Sequence, residues 1–343
     1  MSPGARVWRT TAVTVWSVAL ACYVWTNGVP IDRFSELSVL LSGLLLACVG
    51  RPLWRCVQLL IDWMPFLAAL VFYDYVRGFA DDLGTGVNVG AGINGDIFFV
   101  GWLTGGHIPT VWLQQHLYNP ISTTWWELPV SLVYASRFVL AWLLATLFYL
   151  RDRATWQRFA RRLLSLTFLG LVTFVVFPAA PPWWAAAHGY LPGVSRIASR
   201  GWDLIGMHPA KALIKNGQAT SNDVAAIPSL HFGTALLIAV FCWPLVGRAM
   251  RVVLVAYTIT MGFSLVYGGE HYITDELFGA LAVAAAFWLC ALWERARCRA
   301  HCEPVLVPAL HQREHSQELM ASSRPLREYL DGKLDELTTD SRA

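Results

Sequence analysis

Apolar runs long enough to match a lipid bilayer recur along this chain, and most of its arginines stand in the gaps between them. Crossing ~30 Å of hydrocarbon takes about 20 mostly apolar helical residues, because each backbone amide must find its partner inside its own helix. Eight stretches fit: 8–26, 35–50, 55–76, 129–150, 163–178, 230–247, 252–267 and 276–293. With 56% hydrophobic residues, 14% charged residues and 17 tryptophans in 343, the chain is too apolar for a soluble domain. The expected fold class is all-α, a polytopic membrane protein of about eight transmembrane helices. Arg6 and Arg9 precede the first run as in a signal peptide. No small-residue cleavage site precedes Asn27, however, so that run is read as retained.

Orientation follows from the arginines, since lysine occurs only at Lys211, Lys215 and Lys333. Five clusters (Arg6 and Arg9; Arg51 and Arg55; Arg151 to Arg162; Arg248 and Arg251; Arg295 to Arg299) fall on one face when the eight spans alternate. The positive-inside rule makes that face cytoplasmic, with both termini inside the cell membrane and connections 77–128, 179–229 and 268–275 outside. A net charge of +3 with no basic stripe leaves no nucleic-acid surface to expect. In the outer connection 77–128, a glycine-rich stretch is followed by His107 to Gln115, read as either a short surface helix or a plain loop. Five of the seven cysteines lie in or beside apolar runs, as small hydrophobes do. Cys298 and Cys302 flank His301, where free thiols or lipid attachment are favoured over a metal site. Residues 294–343 read as a polar cytoplasmic tail, disordered or weakly helical beyond 311.

Chemistry concentrates at two outward-facing helix mouths. His271 and Asp275 stand four apart, so on a helix the carboxylate can accept from one ring nitrogen and leave the other basic. At the second mouth Pro228 suits a first helical turn and Ser229 its cap, giving a terminus that attracts phosphate. His231 lies in that turn, placed to donate a proton to an ester oxygen. Two histidines, an aspartate and an anion-binding helix start suggest phosphoryl transfer.

Pro228-Ser229-Leu230-His231 resembles the Pro-Ser-x-His motif of the type 2 phosphatidic acid phosphatase superfamily, and Ser264-Leu265-x5-His271-x3-Asp275 resembles its Ser-Arg-x5-His-x3-Asp motif. Leu230, the His-Tyr-x-x-Asp string and Phe177 to Trp184 are similar to the branch that holds inositol phosphorylceramide synthases and bacterial relatives. The resemblance covers roughly residues 55–293. It implies a six-helix catalytic membrane domain over 55–293 behind two N-terminal helices in 1–54, and a metal-independent mechanism without cofactor. His271 would be the nucleophile, Asp275 its orienting acid and His231 the proton donor.

The superfamily's Lys-x6-Arg-Pro string is absent, and Leu265 stands where the third motif has Arg. A phosphate in a low-dielectric site still needs cations. Arg137, inside an apolar span, is the first candidate, the alternative being an ion pair with Asp62 or Asp74. Arg77, Lys211 and Lys215 follow, with Arg196 and Arg200, each equally explicable as a headgroup-facing surface. Ser229 joins the phosphate-binding set. Glu270 and Tyr272 are candidates for shaping the acceptor site, with packing an equal alternative for Tyr272. The expected function is a lipid phosphotransferase at the outer leaflet whose partners are membrane lipids. A lipid phosphate or polyprenyl diphosphate phosphatase is the alternative, and a non-catalytic lipid-binding or transport protein the second alternative.

Overall fold

The computed structural model of the protein describes residues 3–27, 33–79, 86–219 and 223–302. Among them run twelve α-helices: α1 Pro3–Asn27, α2 Arg33–Cys48, α3 Leu53–Phe79, α4 Gly90–Val100, α5 Pro109–Leu117, α6 Glu127–Arg151, α7 Arg153–Val176, α8 Pro182–Ala187, α9 His208–Ala219, α10 Leu230–Cys242, α11 Arg248–Tyr267 and α12 Ile273–Cys302. No strand occurs among the described residues, only isolated parallel bridges from Asn88 to Ala179 and from Ala179 to Ala225. The chain divides into two compact units, 1–290 and 291–343. The second is described only as far as Cys302, as helix, with Arg297 lying 4.5 Å over the Trp293 ring. The expected tail beyond it lies outside the described residues.

All eight apolar stretches are helical. By length and hydropathy, three helices among the described residues could cross a membrane: Arg153–Val176, Arg248–Tyr267 and Ile273–Arg299. A fourth is added if α6, bent by 52° between Glu127–Arg137 and Val139–Arg151, is one span. Helices thus cover all eight expected stretches, and among the described residues three or four of them are long and apolar enough to cross a membrane. α10 and its terminal 3-10 turn, Leu230–Leu245, count as a shorter apolar helix, spanning about 24 Å at 1.5 Å per residue. The arginine cluster between the expected spans 129–150 and 163–178 is itself mostly helical, because α7 starts at Arg153. Asp152 alone breaks the helix, its carboxylate accepting from Ala154 N and Thr155 N as an N-cap, so the arginines ride on the first turns of α7.

The core explains how these helices hold together. Leu59, Trp63 and Phe66 of α3 meet Trp156, Phe159 and Leu166 of α7, Leu237 and Ile238 of α10 and Ala286 of α12. Burying each such side chain contributes roughly 1.5–3 kcal/mol in a water-referenced count, less where lipid is the alternative. Outward, Phe168, Val172 and Val176 of α7 and Val252, Val253 and Ile259 of α11 are exposed, an apolar surface that a bilayer would cover. Arg153 and Asp62 pair at this core's edge, Nε to Oδ2 at 2.7 Å, with Tyr149 donating to the same carboxylate at 3.2 Å.

A second apolar cluster lies under the helix mouths that carry the histidines. It is built from Tyr134 and Ala135 of α6, Trp202, Ala210 and Ile214 around α9, Ala235 of α10, and Met261 and Leu265 of α11. Above it, the segments 88, 178–180 and 224–226 lie side by side. Asn88 N donates to Pro178 O at 2.9 Å, and Ala179 N to Val224 O at 2.8 Å.

Candidate active site

Ser229 caps α10, its side chain accepting from Phe232 N at 3.3 Å, which leaves His231 in the first turn and puts Pro228, expected in that turn, just ahead of the cap. Ser229 N in turn donates to the backbone carbonyl of Asp275 at 2.9 Å, so the two motif loops are joined directly. This bond brings the rings together: the His231 and His271 centroids are 5.3 Å apart and inclined by 60°.

A single chain of polar contacts then runs through four side chains. Asp275 Oδ2 lies 3.2 Å from His271 Nδ1, His271 Nε2 lies 3.4 Å from His231 Nδ1, and His231 Nε2 lies 2.6 Å from Arg137 Nη1. The arginine end sets the proton positions, because a guanidinium only donates. His231 Nε2 therefore accepts from Arg137, its Nδ1–H donates to His271 Nε2, and His271 Nδ1–H donates to Asp275. His271 Nε2 carries its lone pair toward His231, the form a nucleophile needs.

Burial differs along this chain. Asp275 is fully buried and His271 is 5% exposed, whereas His231 and Arg137 are half-buried. Asp275 Oδ2 also accepts from Tyr272 N at 2.9 Å. Tyr134 stacks on the His231 ring, centroids 5.5 Å apart at 15°.

The remaining candidates divide sharply. Glu270 is 5% exposed and held by Arg196, whose Nε lies 2.9 Å from Oε1 and whose Nη2 lies 2.9 Å from Oε2. Gln218 of α9 adds a donation at 2.6 Å to Glu270 Oε1 and another at 3.1 Å to Tyr134 Oη. Arg196 also lies 4.5 Å over the Trp183 ring, in the Pro-Pro-Trp-Trp segment. Tyr272 packs in an apolar cluster with Ile108, Val111, Ala185, Leu191 and Val194, and burial pushes its hydroxyl well above the usual tyrosine range.

Lys211 pairs with Asp203, Lys215 is exposed, and Arg200 lies 3.8 Å from Glu127 and 4.8 Å over the Tyr118 ring. The structure thus gathers Ser229, His231, His271, Asp275 and Arg137, with Glu270 and Arg196 behind them. Lys211 and Lys215 stand on α9, apart from the four-residue chain. The side chains of Arg77, Asp74, His301 and Cys302 lie outside the described residues. Asp62, the alternative partner for Arg137, is taken by Arg153.

Sequence reasoning missed three contributors: Tyr134, Gln218 and Asp96. The Asp96 carboxylate of α4 is fully buried and accepts from Thr274 N at 2.8 Å, Thr274 Oγ1 at 2.9 Å and Ile273 N at 3.3 Å. Burial pushes the Asp96 carboxyl up to about 6, against these hydrogen bonds, which pull it down. A lone carboxylate inside the apolar string Gly90–Val100 was the signal that could have found it.

The sequence model of the PAP2 superfamily matches residues 102–289, more than half of the chain, and that span holds both histidine motifs. The chain belongs to the PAP2 superfamily. Within it, the chain is similar to a phosphoinositol dihydroceramide synthase of Bacteroides thetaiotaomicron, 27% identical over 174 residues, 47% of this chain and 55% of that protein. It is also similar to the inositol phosphorylceramide synthase of Candida albicans, 30% identical over 47% of this chain and 34% of that protein. The inositol phosphorylceramide synthase catalytic subunit of Saccharomyces cerevisiae is 28% identical over 34% of this chain and 29% of its own length. The chain therefore spans about half or less of the curated relatives it matches. No solved structure matches it. These relatives bear out the resemblance to the inositol phosphorylceramide synthase-like branch, and membership in the superfamily supports an enzyme acting on membrane lipids.

Proposed function

We propose that this protein is an integral membrane phosphotransferase that moves a phospho-headgroup from a lipid donor to a lipid alcohol through a phosphohistidine on His271. The observation that carries this reading is the contact chain from Arg137 through His231 and His271 to Asp275. It leaves one imidazole nitrogen unprotonated beside a second imidazole and a guanidinium. By analogy with the relatives' names, the donor is phosphatidylinositol and the acceptor a ceramide. The site faces the outer leaflet of the cell membrane, with both termini inside, as the arginine distribution indicates. Six helices, α3, α6, α7, α10, α11 and α12, form the catalytic domain.

In the first half-reaction the donor phosphate enters between the two rings. Arg137 turns from His231 onto the phosphate oxygens, and His231 Nε2, released, takes up a proton. His271 Nε2 bonds to phosphorus as the bond to the diacylglycerol oxygen breaks, and His231 Nδ1–H supplies the proton to that oxygen. Asp275 stabilises the positive charge that forms on His271. In the second half-reaction the acceptor hydroxyl gives its proton to His231 and bonds to phosphorus as the N–P bond breaks. Arg137 supplies the positive charge that the absent Lys-x6-Arg-Pro string would otherwise give the phosphate.

Purified protein given headgroup-labelled phosphatidylinositol and ceramide should form a new labelled phospholipid. Release of water-soluble inositol phosphate alone, with no new lipid, would replace the transferase reading with hydrolysis.

A further inference from the structure

We infer that α4 is a clamp for both motif loops and that Asp96 is a positioning residue for the nucleophile. The inference rests on the proposed role of His271, but its geometry stands apart from any substrate. At the N-terminal end of the clamp, Asn88 N donates to Pro178 O and Ala180 N to Asn88 O at 3.2 Å, while Ala179 pairs onward with Val224 and Ala226. That pairing fixes the strand-like approach to Ile227, Pro228 and Ser229, hence the register of the turn that carries His231. The Asn88 side chain also accepts from Ala91 N in the first turn of α4 at 2.8 Å. Eight residues on, Asp96 takes the free amides of Ile273 and Thr274 at the start of α12 and the Thr274 hydroxyl.

Those amides precede Asp275, whose own carboxylate orients His271. A rotation of this turn would swing Asp275 off His271 Nδ1 and release the ring to either tautomer.

The sequence of α4 is built for this contact. A Cβ on Gly92 would stand 2.2 Å from the Tyr272 ring, and one on Gly95 would stand 2.5 Å from Thr274 Oγ1. Only glycine at both positions lets the helix lie this close to the catalytic turn. α4 also ends just before residue 102, where the match to the PAP2 superfamily begins.

The test compares native protein with Asp96→Ala, Asp96→Asn and Gly95→Ala, all full-length in detergent micelles. Two readouts are used: 15N-histidine NMR, assigned with His271→Ala, and steady-state turnover of phosphatidylinositol with ceramide. Native His271 should show one neutral tautomer, Nδ1–H. In Asp96→Ala the two ring nitrogens should converge in shift as both tautomers populate, and kcat should fall about tenfold or more with KM within about threefold, as for other supports of a catalytic ligand. Asp96→Asn keeps its Oδ1 for Thr274, so kcat should return to within about threefold of native. Gly95→Ala, which keeps Asp96 but pushes α4 away, should act as Asp96→Ala does, and it decides the matter if Asp96→Ala does not fold. An unchanged His271 tautomer in the folded variants, or a rise in KM at native kcat, overturns the clamp. If the native protein turns over neither lipid, the transferase reading fails by itself, and the tautomer spectra still decide the role of α4.

Discussion

The two histidine-bearing loops are built in opposite ways. His271 sits in a turn held from three sides: Asp275 on the ring, Asp96 on the following amides, and Arg196 with Gln218 on Glu270 before it. His231 stands half-buried in the first turn of α10, stacked on Tyr134 and touched at Nε2 by an arginine that a phosphate could draw away. A nucleophile gains from a fixed ring, because orientation paid during folding does not have to be paid in the transition state. An acid must change its protonation within each turnover, so it gains from an adjustable neighbour. The fold ties one ring to a buried carboxylate and the other to a half-buried arginine.

The largest effect expected from breaking that arrangement is at the rigid loop. Asp275→Asn keeps the volume but offers an amide to His271 Nδ1 in place of a carboxylate. kcat should fall by on the order of 10^3 to 10^4, with the fold kept by circular dichroism. On the adjustable side, Arg137→Ala should cost about 10^2 in kcat, the loss typical of one preorganised donor to a developing anion. Arg137→Lys should recover part of it, since the charge remains and the planar fork does not.

Glu270→Gln tests the outer support of the rigid loop. It leaves Arg196 partly buried without its carboxylate, so stability should drop by about 3 kcal/mol in thermal or denaturant unfolding. kcat should fall about tenfold with little change in KM.

The smallest effect is read in stability alone. The Asp96 carboxyl is raised from 3.8 in the unfolded chain to about 6 in the fold, so the folded state holds its proton more tightly. Stability from this group is then greatest below pH ~4 and is lost as pH rises through ~6. Relative to Asp96→Asn, which does not titrate, the native protein should lose on the order of 2 kcal/mol between pH 4 and 7. A flat difference would show that Asp96 is ionised throughout.

Much of this was legible in the sequence because it depends on local spacing. Helices declare themselves by apolar length, His271 and Asp275 by their separation of four, the cap on α10 by Ser229, and Arg137 by its cost inside an apolar run. The rest depends on contacts between distant segments. Glycine-rich residues 84–95 carry no helical propensity that outweighs their backbone entropy, so α4 exists because it packs on Tyr272 and Thr274. Arg196 read as one of several surface cations, and only the fold, 74 residues further along, supplies the Glu270 that holds it. Asp152 shows the limit at the other extreme: one capping residue, too short a signal to weigh against an arginine cluster, separates two helices of 25 and 24 residues.

The central claim is that His271, not His231, takes the phosphoryl group. Protein given headgroup-labelled phosphatidylinositol without acceptor, quenched in alkali where phosphohistidine survives and mapped by mass spectrometry, tests it directly. The adduct should lie on His271 and be lost in His271→Ala. In His231→Ala it should form slowly on the same residue. Label on His231, or full lipid turnover by His271→Ala with no histidine adduct, would contradict the assignment.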